Sequence, residues 1–116
     1  MAKDKGLGVI HISDEVIAEI AGRATLECYG VVGLGSPGIS GGVAKLLSAD
    51  KFKKSVRVLR ENDGIKITLY VVAEYGTNLP EVAHNLMTQV KYAVERMVDF
   101  AVESVDVNIQ SIKVSR

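Results

Sequence analysis

The sequence predicts an α+β domain in which two helices pack on one face of a small mixed sheet of three to four strands, a split βαβ-like arrangement. Residues 65–75 alternate in polarity, with Ile65, Ile67, Leu69, Val71, Ala73 and Tyr75 on one side, the period of a half-buried strand. Residues 82–98 place Val82, Ala83, Leu86, Met87, Val90, Ala93, Val94, Met97 and Val98 on one helical stripe. The turn Asn62-Asp63-Gly64 directly before the alternating run marks an antiparallel hairpin, because Asp and Gly tolerate positive φ.

Taken in order, residues 1–7 are polar and expected to fray. Residues 8–12 form a short strand candidate, with Ile10 and Ile12 opposite Val9 and His11. Ser13 reads as a helix N-cap, and Asp14 and Glu15 fall in the first turn, where carboxylates meet the positive end of the helix. Val16, Ile17, Ile20, Ala21, Ala24 and Cys28 make the apolar stripe of this first helix. Gly22 inside it costs about 1 kcal/mol against Ala and points to close packing there. Gly30 is placed to end the helix in the left-handed conformation.

Residues 30–42 hold six glycines and Pro37, and residues 45–60 gather six cations. Residues 30–54 are therefore read as a flexible, glycine-rich basic loop, with one or two helical turns at 43–48 and a strand from about Ser55. The second long helix opens at Asn78, with Glu81 as capping-box partner and Pro80 in the first turn, where its missing N–H costs nothing. The last strand runs from about Val102. Its apolar parity switches between Ile109 and Ile112, which predicts a bulge near Ser111 or the strand's end there.

At 116 residues the chain is a single domain, and 47% apolar content suffices for a core. Fourteen basic and fourteen acidic residues give a formal net charge of zero, so no whole-molecule field steers it to nucleic acid or membrane. The lone Cys28 cannot form a disulfide within the chain, which suits a reducing compartment. No apolar run is long enough to span a bilayer, and the first residues lack the apolar stretch of a secretory signal. The expected location is the cytoplasm.

The stretches GVIHISDEVIAEIAGRA, YGVVGL, VRVLRENDGIKITLYVVAEYGTNLPEVAHNLMTQVKYAVERM and VESVDVNI resemble the alkaline-shock-protein family of Gram-positive bacteria, also known as envelope stress response or general stress proteins. The similarity covers about residues 8–114. It is most specific at Tyr75-Gly76, Leu79-Pro80-Glu81-Val82-Ala83 and Ala93-Val94-Glu95-Arg96-Met97. The resemblance implies a cytoplasmic, non-enzymatic protein linked to cell-envelope stress. Such proteins often self-associate, and some are held at the membrane by a partner. It implies no catalytic residues.

The residues themselves offer little chemistry. Gly33, Gly35 and Gly38 spell G-x-G-x-x-G, but Pro37 interrupts it and no βαβ unit surrounds it, so a dinucleotide site is not expected. Gly38-Ile39-Ser40-Gly41 matches the GxxG of RNA-binding KH domains, which should join two helices. His11 and His84 lack partners at metal-ligand spacing, and Cys28 reads as packing. No cofactor, metal, catalytic residue or small-molecule substrate is expected.

The stronger signal is Lys45, Lys51, Lys53, Lys54, Arg57 and Arg60, offset by Asp50 alone and interleaved with the single aromatic Phe52. Such a cluster suits an anionic partner: lipid headgroups, nucleic acid or an acidic protein face. The face of the sheet away from the helices carries Lys66, Thr68, Tyr70, Val72 and Glu74, with Arg57, Leu59, Asp106 and Asn108 beside them. Leu59, Tyr70 and Val72 would be the apolar centre of a homo-oligomer contact, rimmed by charge. The expected function is that of an interaction or scaffold protein of the cell-envelope stress response, with a protein partner at the membrane. The alternative is a small KH-like RNA-binding domain using the basic loop, disfavoured by zero net charge and 5% aromatic content.

Overall fold

The computed structural model describes residues 12–36, 39–44, 50–61, 64–98 and 101–114. Along them run α1 (Asp14–Leu26), β1 (Val31–Ser36), β2 (Ile39–Ala44), α2 (Asp50–Ser55), β3 (Val56–Glu61), β4 (Gly64–Glu74), α3 (Leu79–Val98) and β5 (Val102–Lys113). The strand expected at 8–12, the expected fraying at 1–7 and the cation Lys45 lie outside the described residues, apart from Ile12, which precedes α1 without entering a strand.

β4 is the middle of the sheet. β5 runs parallel to it along one edge, from Ile65 opposite Val102 to Glu74 opposite Lys113. The other edge is shared by two antiparallel strands. β3 pairs with the first half, Val56 opposite Leu69 through Glu61 opposite Gly64, and β1 pairs with the second, Val31 opposite Ala73 and Leu34 opposite Val71. β2 adds outside β1, which makes a five-stranded mixed sheet.

The α+β architecture and the two long helices over one face are as the sequence predicts. The strand count is higher, because the glycine-rich stretch read as loop carries β1 and β2, and residues 50–55 form the short helix α2. The bulge expected near Ser111 is present: Val71 faces Ile109, whereas the next residue, Val72, faces Ser111.

Local chemistry accounts for the element ends. Ser13 caps α1 by accepting from the Val16 N–H at 3.2 Å, and Asn78 caps α3 by accepting from the Glu81 N–H at 3.2 Å. Gly30, Gly64 and Gly76 have φ of 88°, 147° and 92°, conformations that side chains rarely adopt, at three of the chain's turns. α3 buries Val82, Leu86, Val90, Val94 and Val98, a row at steps of four. Met87 and Met97, expected on this stripe, sit at its exposed flanks, and Tyr75, one residue past the end of β4 at Glu74, is exposed.

α1 buries Ile17, Ala18, Ala21, Gly22 and Thr25, a row rotated slightly from the expected one, so Val16 is left exposed. Thr25 satisfies its buried hydroxyl by donating to the Ala21 carbonyl at 2.8 Å. The reason for Gly22 is Phe52. This ring of α2 is 4% exposed and lies so close to Gly22 that an added Cβ would run into it. Phe52, which in sequence stands alone among cations, is therefore a core residue. Ser55 ends α2 by donating its hydroxyl to the Gly35 carbonyl, tying the start of β3 to the end of β1.

Gly22→Ala should destabilise the domain by about 1–3 kcal/mol through overpacking, although Ala is the better helix former. Adding Phe52→Leu should return part of that loss in a thermal melt. A Gly22→Ala protein melting at or above the wild-type temperature would show that the helix–ring contact is not tight.

Candidate functional site

Two groups of residues were singled out by the sequence, and the fold treats them differently. Among the described cations, Arg57 and Arg60 do not share one face. Lys51, Lys53 and Lys54 fall on α2, while Arg57 and Arg60 fall on β3 at opposite parity and so on opposite faces of the sheet. Lys54 and Arg57 are exposed. Arg60 is committed to the fold: its Nε donates to Asp14 Oδ1 at 2.6 Å, and its Nη2 donates to the Ile12 carbonyl. That fixes the start of α1 over β3. A continuous basic surface from Lys45 to Arg60 is thus not what the described residues make.

The self-association set is also split. Leu59 is 55% exposed, Tyr70 is half-buried, and Val72 is completely buried. Val72 offers nothing to a partner, against the expectation from its parity. The cause lies in the glycine segment. An ideal Cβ on Gly35 would stand 2.9 Å from Gln110 Cγ and 3.8 Å from the Tyr70 carbonyl carbon. β1 and β5 therefore approach each other across the second face of β4, and the chain itself closes that face over β4's C-terminal half. The sequence signal for this was Gly35, the residue type that lets another segment approach a strand closely.

The half left open is next to β3. A cleft of about 660 Å³ runs along that strand, with Asp14 and Ala18 of α1 on one side, and Leu59, Thr68 and Asp106 of the sheet's second face on the other. Lys66, on this second face, bonds Glu61 at 3.3 Å. That hydrogen bond, reinforced by the charges of Glu61, Glu103 and Asp106, raises the lysine above its ordinary pKa. A second cleft of about 510 Å³ lies between the end of α1 and α3, lined by Cys28, Tyr29, Asn85, Tyr92 and Arg96 among others. There Arg96 stacks over Tyr92 at 5.4 Å. Cys28 bonds the Ala24 carbonyl at 3.3 Å, and burial followed by the charge of Glu27 pushes its thiol up, away from the reactive thiolate. Among the described residues no cluster of three or more His, Cys, Asp or Glu side chains could hold a metal ion.

The motif readings can be placed as well. Gly33 and Gly35 are strand residues of β1, and no helix follows them directly. Gly41 lies inside β2, so the GxxG stretch runs into a strand where a KH loop should pass between helices. No helix among the described residues is long and apolar enough to cross a membrane.

What the fold and these surfaces define is a small α+β domain with clefts at its sheet edge and between its helices. Comparison with known proteins narrows this. Residues 2–114 match the ASP23 (alkaline-shock) family, described as having a cell envelope-related function. The chain is 42% identical over 109 residues to the uncharacterized protein YloU of Bacillus subtilis, covering 93% of this chain and 91% of that one. It is 35% identical to the uncharacterized protein Spy1614 of Streptococcus pyogenes, covering 92% and 89%. It is 27% identical to a stress response regulator gls24 homolog of Streptococcus pyogenes, covering 91% of this chain and 59% of that one. The chain belongs to the alkaline-shock family. Among solved structures, two variants of MamM-CTD match with a TM-score of 0.51 at 15% and 14% identity, over 87% of this chain and 100% of theirs, a likeness of fold alone.

The split between structural and available cations is testable. Arg60→Gln should lower stability by up to about 1 kcal/mol, the scale of an exposed ion pair, whereas Arg57→Gln should leave the melt unchanged. Equal effects from the two variants in parallel denaturant titrations would contradict the role given to Arg60.

Proposed function

We propose that this protein is a non-enzymatic interaction or scaffold protein of the cell-envelope stress response, acting in the cytoplasm and reaching the membrane through a protein partner. The observation that carries the reading is the family match over residues 2–114 with its cell envelope-related function. The stress-response name of a relative that aligns along 91% of this chain supports the same reading. The clefts beside β3 and between α1 and α3 suit contact with protein surfaces, since each mixes apolar walls with a few charged or amide side chains. Self-association is part of the reading, as is binding of an anionic protein face by Lys54 and Arg57.

The RNA-binding alternative loses support from two features: Phe52 is packed inside rather than free to stack, and Arg60 is held by Asp14. Capture of the tagged chain from cross-linked cells, with and without nuclease, tests the proposal. The expected result is an envelope protein recovered equally in both samples. Recovery of partners only without nuclease, or of RNA alone, would contradict it.

A further inference from the structure

The cleft between α1 and α3 gathers side chains that the fold itself leaves unused. α1 begins where Asp14 meets Arg60, and Arg60 lies opposite Ile65, which in turn faces Val102 just beyond α3. α1 ends against the start of α3, where a Cβ on Gly30 would meet Val82. The two helices are therefore antiparallel, and the cleft follows α3 from Asn85 to Arg96, about 16 Å at the helical rise. Ala24 and Ala93, both half-buried, form its floor. Tyr29 and Tyr92 stand on its opposite walls, 71% and 61% exposed.

The polar groups of the cleft are in place and without occupation. Asn85 and Gln89 are exposed, and neither side-chain amide bonds a described residue. Arg96 is held by its stack on Tyr92 at 5.4 Å and makes no ion pair with a described residue. Glu27, beside Cys28, lies toward the other end. The cleft is thus positive at one end and negative at the other.

The spacing of the two amides selects the occupant. Asn85 and Gln89 are four residues apart on a helix, about 6 Å along its axis. Alternate residues of an extended chain are about 6.6 Å apart and direct their N–H and C=O groups to the same side. A carboxamide carries one donor group and one acceptor, the match for such a pair. A helix offers no equivalent, because its own hydrogen bonds use these groups. The alanine floor gives a backbone room to approach, and the exposed tyrosine rings give a side chain apolar surface to cover.

We propose that this cleft is the docking groove for an extended segment of about five residues from a partner protein, with an acidic side chain of that segment on Arg96. Asn85 and Gln89 hold its backbone, and the two tyrosines flank one of its apolar side chains. Glu27 repels the acidic side chain from the opposite end, which fixes the direction of the segment. This rests on the protein partner in the function proposed above and gives that partner a chemistry.

The test selects random peptides displayed on phage against the immobilised full chain, then measures the synthetic peptides by fluorescence anisotropy. Peptides with an acidic residue should dominate the selection. Arg96→Glu, and Asn85→Ala combined with Gln89→Ala, should each weaken binding about tenfold or more, whereas Arg57→Glu on the sheet's second face should not change it. Replacing the peptide's acidic residue with lysine should restore binding to Arg96→Glu. Cys28, the single thiol of the chain, lines the groove, so bound peptide should slow its reaction with a disulfide reagent. All the substituted residues are exposed, and melts confirm that each variant is folded. No selected peptide, peptides that bind Arg96→Glu as well as wild type, or an unchanged Cys28 rate would overturn the groove. A Cys28 rate that falls with protein concentration alone would make a second copy the occupant and would overturn it too. An envelope protein captured from cross-linked cells equally by wild type and Arg96→Glu would overturn the groove and leave the function proposed above standing. Absence of any captured envelope protein would overturn that function, with peptide binding still deciding the groove.

Discussion

Everything in this domain is arranged around the burial of β4. Ile65, Ile67, Leu69 and Val71 point into the core with at most 1% of their surface exposed, and both edges of the strand are paired. A strand in that position removes its backbone groups from water and must find a partner for each. One neighbour, β5, serves one edge along nearly its whole length. The other edge needs two, and the division between β3 and β1 sets the rest of the topology. Between leaving β4 beside β1 and returning beside β3, the chain must fit β2 and α2, and α2 brings Phe52 into the core against Gly22. Each large apolar side chain buried this way contributes about 1.5–3 kcal/mol, so the row on β4 and the row on α3 dominate the stabilisation.

Much of this was legible in the sequence, because the signals that carried it are local. The alternation at 65–73, the stripe at 82–98, the caps Ser13 and Asn78 and the parity change before Ile112 each depend on neighbouring residues, and each appears in the structure. What failed depends on distant ones. β1 and β2 contain glycines at Gly33, Gly35, Gly41 and Gly42, which lower strand propensity; they are strands because β4 has an edge to fill. Val72 has the parity of an open face, yet the approach of Gln110 to Gly35 encloses that part of it. Phe52 looked like a companion to lysines because its pocket is made by a glycine thirty residues earlier.

The candidate site was less legible than the fold for the same reason. A run of cations in sequence is not a surface until the strand parity and the helix turn have sorted it. Here Arg60 went to the N-terminal end of α1, Arg57 went to the second face, and the three lysines went to α2. The region beside β3 thereby acquires a separate character: an unbulged edge, an exposed leucine and charges of both signs. Part of the protein contact in the function proposed above would rest on this region; the family itself is described as having a cell envelope-related function.

The central claim is that β4 is the last part of the domain to open. Native-state amide hydrogen exchange, read residue by residue by NMR, measures this directly. The amides of residues 66–73 should exchange only through global unfolding, at the same free energy as denaturant melting gives. Those of β2 and α2 should exchange earlier, through partial openings that leave β4, β5 and α3 intact. Exchange at 66–73 as fast as in β2 or α2 would contradict the account, since it would mean that the central strand opens without the rest of the molecule coming apart.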